Sequence, residues 1–274
     1  MSFKRKLSEA TGIEEKLLPS SYQIVGHVLL IKFMKLKNLS WKKKIAASVL
    51  EILPYVKTVC EITKVKGEFR APETRKLAGD GTVTVHKEHG ILYRLDAAKI
   101  MFSKGNLFER QRLIGQVKRN ETIVDMFAGI GYFSLGLAKK AKKIIAIEKN
   151  PVAFRYLKEN IKLNRISNIA PFLADNRKLK LENLADRVIM GYLPRTEKFL
   201  PFAVKTLKNK GIIHFHNTYK TDELWRKPVI ELKKNLSGLT YSIVDKKKVK
   251  SIAPNTYHAV IDIQVKKLNH ASRL

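Results

Sequence analysis

A regular alternation of apolar strands and amphipathic helices from residue 120 onward constrains the fold of this chain most strongly. ETIVDMFA predicts a strand, a loop with two glycines and a helix through LGLAKK follow, and KKIIAIEKN predicts the next strand. NPVAFRYLKENIKLN predicts a helix with Asn150 as its cap and Pro151 at the first helical position, where the missing N–H costs nothing. APFLADN, ADRVIMGYL and GIIHFH predict three further strands. This order is typical of a parallel sheet with helical crossovers.

Both ends of the chain depart from that alternation. The final segment YHAVIDIQV alternates apolar and polar residues, which predicts an antiparallel strand that closes the sheet. Residues 22–34 predict one strand, a helix follows with Ser40 as its cap, residues 56–62 predict a strand, and TVTVHKEHGILYRLD predicts a hairpin. We therefore expect an α/β fold with a smaller α+β domain over residues 1–98 and a mostly parallel sheet over residues 99–274.

The net charge restricts the possible partners. The chain carries 54 Lys and Arg against 24 Asp and Glu, a formal charge of +30 spread over its whole length. A folded surface that meets a polyanion, with nucleic acid as the first candidate, accounts for this charge. Surface lysines that serve solubility or thermal stability are the alternative interpretation.

Membrane, secretory and disulfide-bonded classes are not expected. No apolar run approaches the ~20 residues that span a bilayer, and the start MSFKRKLSEATG lacks the apolar stretch of a signal peptide. The single cysteine, Cys60, excludes an intrachain disulfide and a cysteine-cluster zinc site. We expect a cytoplasmic protein that does not bind membranes.

The loop after the first predicted parallel strand has the features of a ligand site. In VDMFAGIGYFS, Asp125 ends the strand, and Gly129 and Gly131 lie in the turn, where the absent side chains let a ligand approach the backbone. A G-x-G pattern by itself is weak. Glu148 ends the second strand, 17 residues beyond Gly131, where a doubly wound fold offers a carboxylate to a ribose diol.

The third predicted strand adds Asp175 and Asn176, where a carboxylate could accept a hydrogen bond from an adenine amino group. A helix cap is the alternative role for either strand-end acid. A dinucleotide site fits less well, because the position that would complete G-x-G-x-x-G is Ser134. Acids at the ends of three successive strands suit a ligand with an amine, a ribose and an adenine better than one with a pyrophosphate.

Taken together, DMFAGIGYFS, IEKNPVAFRYLKENIKLN, FLADN and DRVIMGYLPRTEKFLPFA resemble the class I methyltransferase-fold enzymes that modify the guanosine next to the tRNA anticodon. Two sister families share this Rossmann-like core. One is the tRNA guanosine-37 N1-methyltransferase. The other is the wybutosine-pathway aminocarboxypropyltransferase, which acts on the tricyclic base derived from that guanosine in phenylalanine tRNA. The resemblance runs from about Phe102 to the C-terminus.

Several residues favour the second family. After the fourth strand, the methyltransferase family has a segment that resembles N-L-P-x-S-A, whereas this chain reads MGYLPRT from Met190 to Thr196. In addition, Tyr132 rather than Pro follows Gly131. MFSKGNLFERQR and SIAPNTYHAVIDIQV also resemble the aminocarboxypropyltransferase pattern. The expected reaction is transfer of the 3-amino-3-carboxypropyl group from S-adenosylmethionine to a wyosine-type base at position 37 of phenylalanine tRNA, with release of methylthioadenosine. N1-methylation of guanosine 37 and a non-enzymatic RNA-binding protein with a vestigial cofactor fold remain alternatives.

The resemblance also implies site residues, and we separately expect the protein to be a monomer. S-adenosylmethionine would be bound by Ser103, Arg110, Phe127, Gly129, Glu148, Asp175 and Asn176, with Ser103 and Arg110 in the loop that covers it. Tyr192 and Pro194, after the fourth strand, would contact the flipped base. The sequence names no general base, although Asp125 and Asp175 are candidates.

Basic segments that contain aromatic residues are candidates for RNA contact. They are FRYLK, Tyr219-Lys220 and Trp225-Arg226, although at least one of Phe154 and Tyr156 in FRYLK is expected to pack in the core. KKKVK, residues 246–250, predicts either a phosphate grip or a charged turn between the last two strands. His214 and His216 share a strand face without a carboxylate or cysteine at ligand spacing, and we expect no metal.

Overall fold

The computed structural model describes residues 2–267 and divides the chain into two compact units, residues 1–102 and residues 103–274. Each unit is described by itself. The domain ranges expected from the sequence, 1–98 and 99–274, stay a prediction, and the last seven residues of the second range lie outside the described residues. Within residues 2–267, no helix is both long and apolar enough to cross a membrane.

The first unit is α+β, as expected. Its helices are α1 (Phe3–Thr11) and α2 (Leu39–Ile52), and its strands are β1 (Tyr22–Val25), β2 (Val28–Ile31), β3 (Thr58–Lys66), β4 (Ala71–Gly79), β5 (Val83–Glu88) and β6 (Ile91–Asp96). One sheet has the order β1-β2-β3-β4 with only β2 and β3 parallel, and β5 pairs with β6 in the predicted hairpin. Leu7, Leu29, Ile45 and Val49 pack in its core without solvent exposure.

Two predictions for this unit are wrong in detail. The single strand over residues 22–34 is a hairpin, because Gly26 has a φ of +55° and turns the chain between β1 and β2. A Cβ atom on Gly26 would lie 2.0 Å from Thr84 Oγ1, so the turn requires glycine. The cap of α2 is Asn38, whose side chain accepts a hydrogen bond from Trp41 N at 3.2 Å, rather than Ser40.

The second unit is the predicted α/β domain. Its strands are β7 (Thr122–Asp125), β8 (Lys143–Glu148), β9 (Ile169–Leu173), β10 (Ala185–Met190), β11 (Leu207–Lys220), β12 (Thr240–Ala253) and β13 (Thr256–Lys266). Its helices are α3 (Leu107–Gln116), α4 (Ser134–Leu137), α5 (Pro151–Leu163), α6 (Leu200–Thr206) and α7 (Arg226–Asn235). The Asn150 cap of α5 is confirmed, since its Oδ1 accepts from Val152 N at 2.9 Å.

The seven-stranded sheet has the order β12-β13-β11-β10-β7-β8-β9. Strands β7 to β11 are mutually parallel, and β13 is antiparallel to β11, which confirms the antiparallel final strand. The edge, however, is formed by β12, which pairs antiparallel with β13 and therefore runs parallel to β11. Residues 246–250 lie inside β12, so the prediction of a charged turn there is wrong. The chain order reverses between β7 and β10, where open α/β sheets bind ligands.

Candidate active site

The carboxyl ends of β7, β8, β9 and β10 lie side by side at one end of the strands, here called the carboxyl edge of the sheet. Glu148, Asp175 and Asn176, which were expected to bind the donor, lie along this carboxyl edge. The two glycines after β7 shape the loop, with φ values of +58° at Gly129 and +98° at Gly131. A Cβ on Gly131 would meet Leu135 Cγ at 2.6 Å. The loop backbone therefore passes closer to its neighbours than a side chain would permit.

Glu148, at the end of β8, is half-buried and holds two backbone N–H groups. Gly129 N donates to Oε2 at 2.7 Å, and Asn150 N donates to Oε1 at 2.6 Å. Burial raises the pKa of Glu148, and the backbone hydrogen bonds oppose that rise. A carboxylate accepts hydrogen bonds at both oxygens, so the group is chemically suited to the hydroxyl donors of a ribose diol.

Asp175 and Asn176 follow β9 and differ in their surroundings. Asp175 accepts from Arg177 Nη2 at 2.6 Å and lies 3.3 Å from Lys149 Nζ; the Arg177 hydrogen bond in particular holds its pKa well below the usual range. It also caps the following 3-10 turn, the alternative role considered for it. Asn176 donates from Nδ2 to Met126 O at 2.9 Å, while its buried Oδ1 has no hydrogen-bond partner among the described residues.

An acceptor of this kind fits the proposed ligand, because a buried polar atom without a partner costs free energy that a donor would recover. A second such atom is Asn106 Oδ1, in the segment that also carries Ser103. S-adenosylmethionine has an adenine amino group and an α-ammonium group, both of which are hydrogen-bond donors. The two unsatisfied acceptors therefore suit these two donor groups in kind.

Ser103 lies in the loop before α3, as expected, whereas Arg110 lies within α3, so the expectation that Arg110 belongs to the loop is wrong. Both terminal nitrogens of the buried Arg110 guanidinium donate to Ser103 O, at 3.4 and 3.3 Å. Lys250 Nζ donates to Ser103 Oγ from the edge strand β12. Arg110 thus holds the loop and supplies a positive charge that would suit a carboxylate group.

Aromatic side chains surround the loop that follows β10. Phe127 stacks on Tyr192 with a centroid distance of 4.9 Å and an interplanar angle of 21°, and Phe199 packs edge-on against Phe127 at 4.9 Å. Pro194 is exposed and follows a cis peptide bond. All three rings are only partly buried, so they can present flat apolar faces to a nucleobase or an adenine.

Asn217 anchors this loop and was missed by the sequence analysis. It comes from the carboxyl half of β11, is buried, and accepts from Arg195 N at 3.1 Å while donating to Glu197 Oε2 at 2.9 Å. A polar residue at the end of a parallel strand was the available signal, since it is the same signal that identified Glu148 and Asp175.

The two candidate bases have other roles in the structure. Asp125 has no exposed surface and accepts from Ser134 Oγ at 2.7 Å and from Phe127 N at 3.3 Å. Burial raises its pKa to about 6. These bonds make it an anchor for the glycine loop. Asp175 is held ionised by Arg177, which makes it a weak proton acceptor.

A buried polar network behind the site was also missed. Arg112 on α3 donates to Asp262 Oδ1 at 3.0 Å and to Glu109 Oε2 at 2.8 Å, and His214 Nδ1 lies 2.6 Å from Asp262 Oδ1. Although burial alone would raise it, the bonds from His214 and Arg112 hold the pKa of Asp262 well below its usual range. Arg187 Nη1 donates to His214 Nε2 at 2.6 Å, so His214 is neutral and donates from Nδ1.

The partner of His214 is thus a carboxylate 48 residues away in sequence, which the spacing of neighbouring residues could not reveal. His216 pairs instead with His258, its Nδ1 lying 2.9 Å from His258 Nε2. Within residues 2–267, no group of three or more His, Cys, Asp or Glu side chains could hold a metal ion.

Two of the aromatic candidates for RNA contact lie inside the protein. Tyr156, in FRYLK, is buried, as was expected for one of the two aromatic residues there. Tyr219 is buried as well and donates from its hydroxyl to Glu231 Oε2 at 2.6 Å, so the prediction that it stacks on a base is wrong. Trp225 is partly buried against the core.

Comparison with known proteins identifies the family. The family model described as the TRM5/TYW2 methyltransferase domain matches residues 84–244, and the TYW2 N-terminal domain matches residues 3–82. The chain belongs to the TRM5/TYW2 methyltransferase family. The resemblance inferred from the sequence motifs is therefore confirmed, and the α/β fold of the second unit is that of S-adenosylmethionine-dependent enzymes.

Individual relatives distinguish the two branches of the TRM5/TYW2 family. The chain is 43% identical over 254 residues, 90% of its length and 98% of the relative's, to the tRNA(Phe) (4-demethylwyosine(37)-C(7)) aminocarboxypropyltransferase of Methanocaldococcus jannaschii. It is 35% identical, over 91% of its length and 76% of the relative's, to the tRNA (guanine(37)-N(1))-methyltransferase Trm5b of Pyrococcus abyssi. The crystal structure of M. jannaschii TYW2 in complex with AdoMet matches with a TM-score of 0.72 and 38% identity, over 90% of this chain and 100% of that one.

Proposed function

We propose that this protein transfers the 3-amino-3-carboxypropyl group of S-adenosylmethionine to the tricyclic wyosine-type base at position 37 of phenylalanine tRNA and releases methylthioadenosine. The observation that carries this proposal is the 43% identity to the M. jannaschii aminocarboxypropyltransferase, which extends over 98% of that enzyme. The geometry of the sheet edge agrees with it, because the edge offers an acceptor or a charge to each polar part of the donor.

The donor would be held along the carboxyl ends of β7 to β9. Glu148 would accept the ribose hydroxyls, Asn176 Oδ1 would accept the adenine amino group, and Gly129 would let the ligand approach the loop backbone. Ser103 and Arg110 would bind the methionine end, with Arg110 paired to its carboxylate. Phe127 supplies an apolar face and Asp175 a fixed negative charge beside this pocket.

Selecting the transferred group is a matter of alignment. The sulfonium of S-adenosylmethionine carries three electrophilic carbons. Attack by the base at the side-chain methylene forms the new bond, breaks the carbon–sulfur bond and leaves the electron pair on a neutral thioether, and the base then releases the displaced ring proton to solvent. Ser103, Asn106 and Arg110 can fix the amino and carboxylate ends of the methionine chain, and so hold that methylene toward the base rather than the methyl group. The protein's main contribution is therefore positioning.

The acceptor base would be held by the loop after β10. Tyr192 offers a flat ring for stacking, and Pro194 lies exposed beside it. Asn217 fixes the backbone that follows, through its bond from Arg195 N. The stacked pair of Phe127 and Tyr192 joins the donor residues to this loop, so these two rings would line both the donor pocket and the base pocket.

N1-methylation of guanosine 37 is the rival reaction. The Gly191-Tyr192-Leu193-Pro194 segment, in place of N-L-P-x-S-A, argues against it, as does the lower identity to Trm5b. A double-label assay separates the two: with S-adenosylmethionine labelled in both the methyl and the carboxyl carbons, the carboxyl label should enter tRNA carrying 4-demethylwyosine and the methyl label should not. Entry of only the methyl label would overturn the proposed reaction.

We further propose that the protein works as a monomer in the cytoplasm, without a membrane partner. The support is its single, buried Cys60, which does not suit an oxidising compartment, and the lysines on the edge strand β12, which disfavour strand pairing with a second copy. Light scattering of the purified protein at micromolar concentration should give the mass of one chain, and the mass of a dimer would contradict the monomer.

A further inference from the structure

The edge strand β12 carries a concentrated positive charge whose role the donor site does not explain. Lys246, Lys247, Lys248 and Lys250, here called the lysine strand, lie in its second half, and its first five residues, Thr240 to Val244, contain no lysine. Because β12 runs parallel to β11, its second half points to the same sheet edge as the donor-binding residues.

The register across the sheet fixes the position of these lysines along the strand direction. Lys246 pairs with Ile261 on β13, and Ile261 pairs with Phe215 on β11. Phe215 in turn pairs with Met190, the last residue of β10, so Lys246 is level with the end of β10. Lys248 lies further toward the carboxyl edge. Three strand spacings separate β12 from β10, about 14 Å. The lysine strand therefore begins at the level where the Tyr192 loop leaves the sheet.

Two members of the lysine strand are held by aromatic rings instead of acids. Lys246 Nζ lies 5.6 Å from the Trp225 ring centroid, and Lys248 Nζ lies 4.8 Å from that of Tyr257. Over residues 2–267, neither has a carboxylate within ion-pair distance. A ring orients an ammonium group without neutralising it, so these charges stay available to an anion.

The other two members have protein partners. Lys247 Nζ lies 3.6 Å from Asp245 Oδ1, and Lys250 Nζ donates to Ser103 Oγ. A Cβ on Gly105 would meet Lys250 Cδ at 2.6 Å, so Lys250 packs closely against the segment that carries Ser103. Within the lysine strand, Lys246 and Lys248 are therefore the two ammonium groups held by aromatic rings alone, without an acid or a hydrogen-bond acceptor in the described part of the chain, and they define the test.

Lysines on an edge strand also prevent pairing with another sheet. That role does not depend on which half of the strand carries the charge, and here the charge is confined to the half of β12 on the side of the donor residues. Protection of the edge does not explain this confinement, but an anionic ligand that approaches that side does.

We propose that Lys246 and Lys248 bind backbone phosphates of the RNA that flank the modified base. The proposal rests on the proposed function for its RNA partner and adds the surface that grips it. The separation of about 14 Å between β12 and the end of β10 is short enough for one RNA segment to reach both the lysines and the loop that would hold the base. Phosphate contacts of this kind position the substrate and do not read its sequence.

The test is a salt titration of RNA affinity with a charge-matched control. The doubly substituted Lys246→Gln/Lys248→Gln protein is compared with Lys233→Gln/Lys234→Gln, which removes two exposed lysines from the last turn of α7. Since α7 leads from the carboxyl end of β11 back to the start of β12, these control lysines lie toward the opposite edge of the sheet. The probe is an unmodified phenylalanine tRNA transcript.

Each lost contact to a phosphate of unpaired RNA should reduce the slope of log K against log salt by about 0.7, so the β12 double variant should lose about 1.4 and the α7 variant close to none. Between about 50 and 200 mM salt, wild-type affinity should then fall about 7-fold more than that of the β12 variant. Equal slopes for the two variants would mean that net charge alone acts, and would overturn the proposal.

Two further measurements separate the possible failures. Lys246→Arg/Lys248→Arg keeps both charges and should keep the wild-type slope, whereas a slope as low as that of the glutamine variant would show that strand packing matters and would also overturn the proposal. Affinity for S-adenosylmethionine in the absence of RNA should be unchanged in every variant. The proposed function is tested separately, by the products that the wild-type protein releases.

Discussion

Replacement of Glu148 by Ala tests the donor site most sharply. The carboxylate lies half-buried at the end of β8 and accepts hydrogen bonds from Gly129 N and Asn150 N. Loss of hydrogen bonds from ribose hydroxyls to a charged acceptor should weaken binding by about 1.5–3 kcal/mol, which is roughly a 10- to 150-fold rise in the Kd of S-adenosylmethionine.

The assay is isothermal titration calorimetry without RNA, so that only donor binding is measured. Glu159→Ala is the control, because that partly exposed carboxylate on α5 forms a surface i,i+4 pair with Arg155, and loss of such a pair should leave the Kd unchanged. Thermal unfolding of both variants shows whether the glycine loop still folds. An unchanged Kd in a folded Glu148→Ala protein would remove Glu148 from the ribose site.

Three other substitutions test the network, the loop and the base contact. Asp262→Asn should lower the free energy of unfolding by about 3–5 kcal/mol at pH 7, because Arg112 and His214 lose their carboxylate. The pKa of Asp262 in the native state lies below the ordinary 3.8, so the difference between the variant and the wild type should shrink as the pH falls below that value. A difference in unfolding free energy that does not change with pH would contradict the assignment. Gly131→Ala should lower the melting temperature and weaken donor binding, since its φ is +98° and the new methyl group would press on Leu135; an unaltered melt would refute the strain. Tyr192→Ala should raise the KM for tRNA about 5- to 150-fold by loss of base stacking, whereas Tyr192→Phe should restore it, and an unchanged KM in the alanine variant would exclude stacking.

The parallel sheet could be predicted from the sequence because buried strands and amphipathic helices have distinct periodicities. The strand-end residues Asp125, Glu148 and Asp175 followed from that order, since carboxyl ends of parallel strands meet at one edge. Position in the chain thus located most of the expected donor residues before their contacts were known.

Features that depend on long-range contacts could not be predicted in the same way. Residues 22–34 look like one strand, because the turn at Gly26 is imposed by a contact with Thr84, 58 residues later. Asp262 looked like one polar position on an alternating strand, but the covering helix α3 and Arg112 bury it. Residues 246–250 predicted a turn because their composition is unlike that of a strand. Strand β12 forms there because it pairs with β13.

The measurement that tests the central claim most directly is mass spectrometry of the nucleoside by-product after the wild-type protein is incubated with S-adenosylmethionine and phenylalanine tRNA carrying 4-demethylwyosine. Methylthioadenosine, formed only when both the protein and the tRNA are present, is the predicted result. S-adenosylhomocysteine in its place would show methyl transfer and would contradict the assignment of this chain to aminocarboxypropyl transfer.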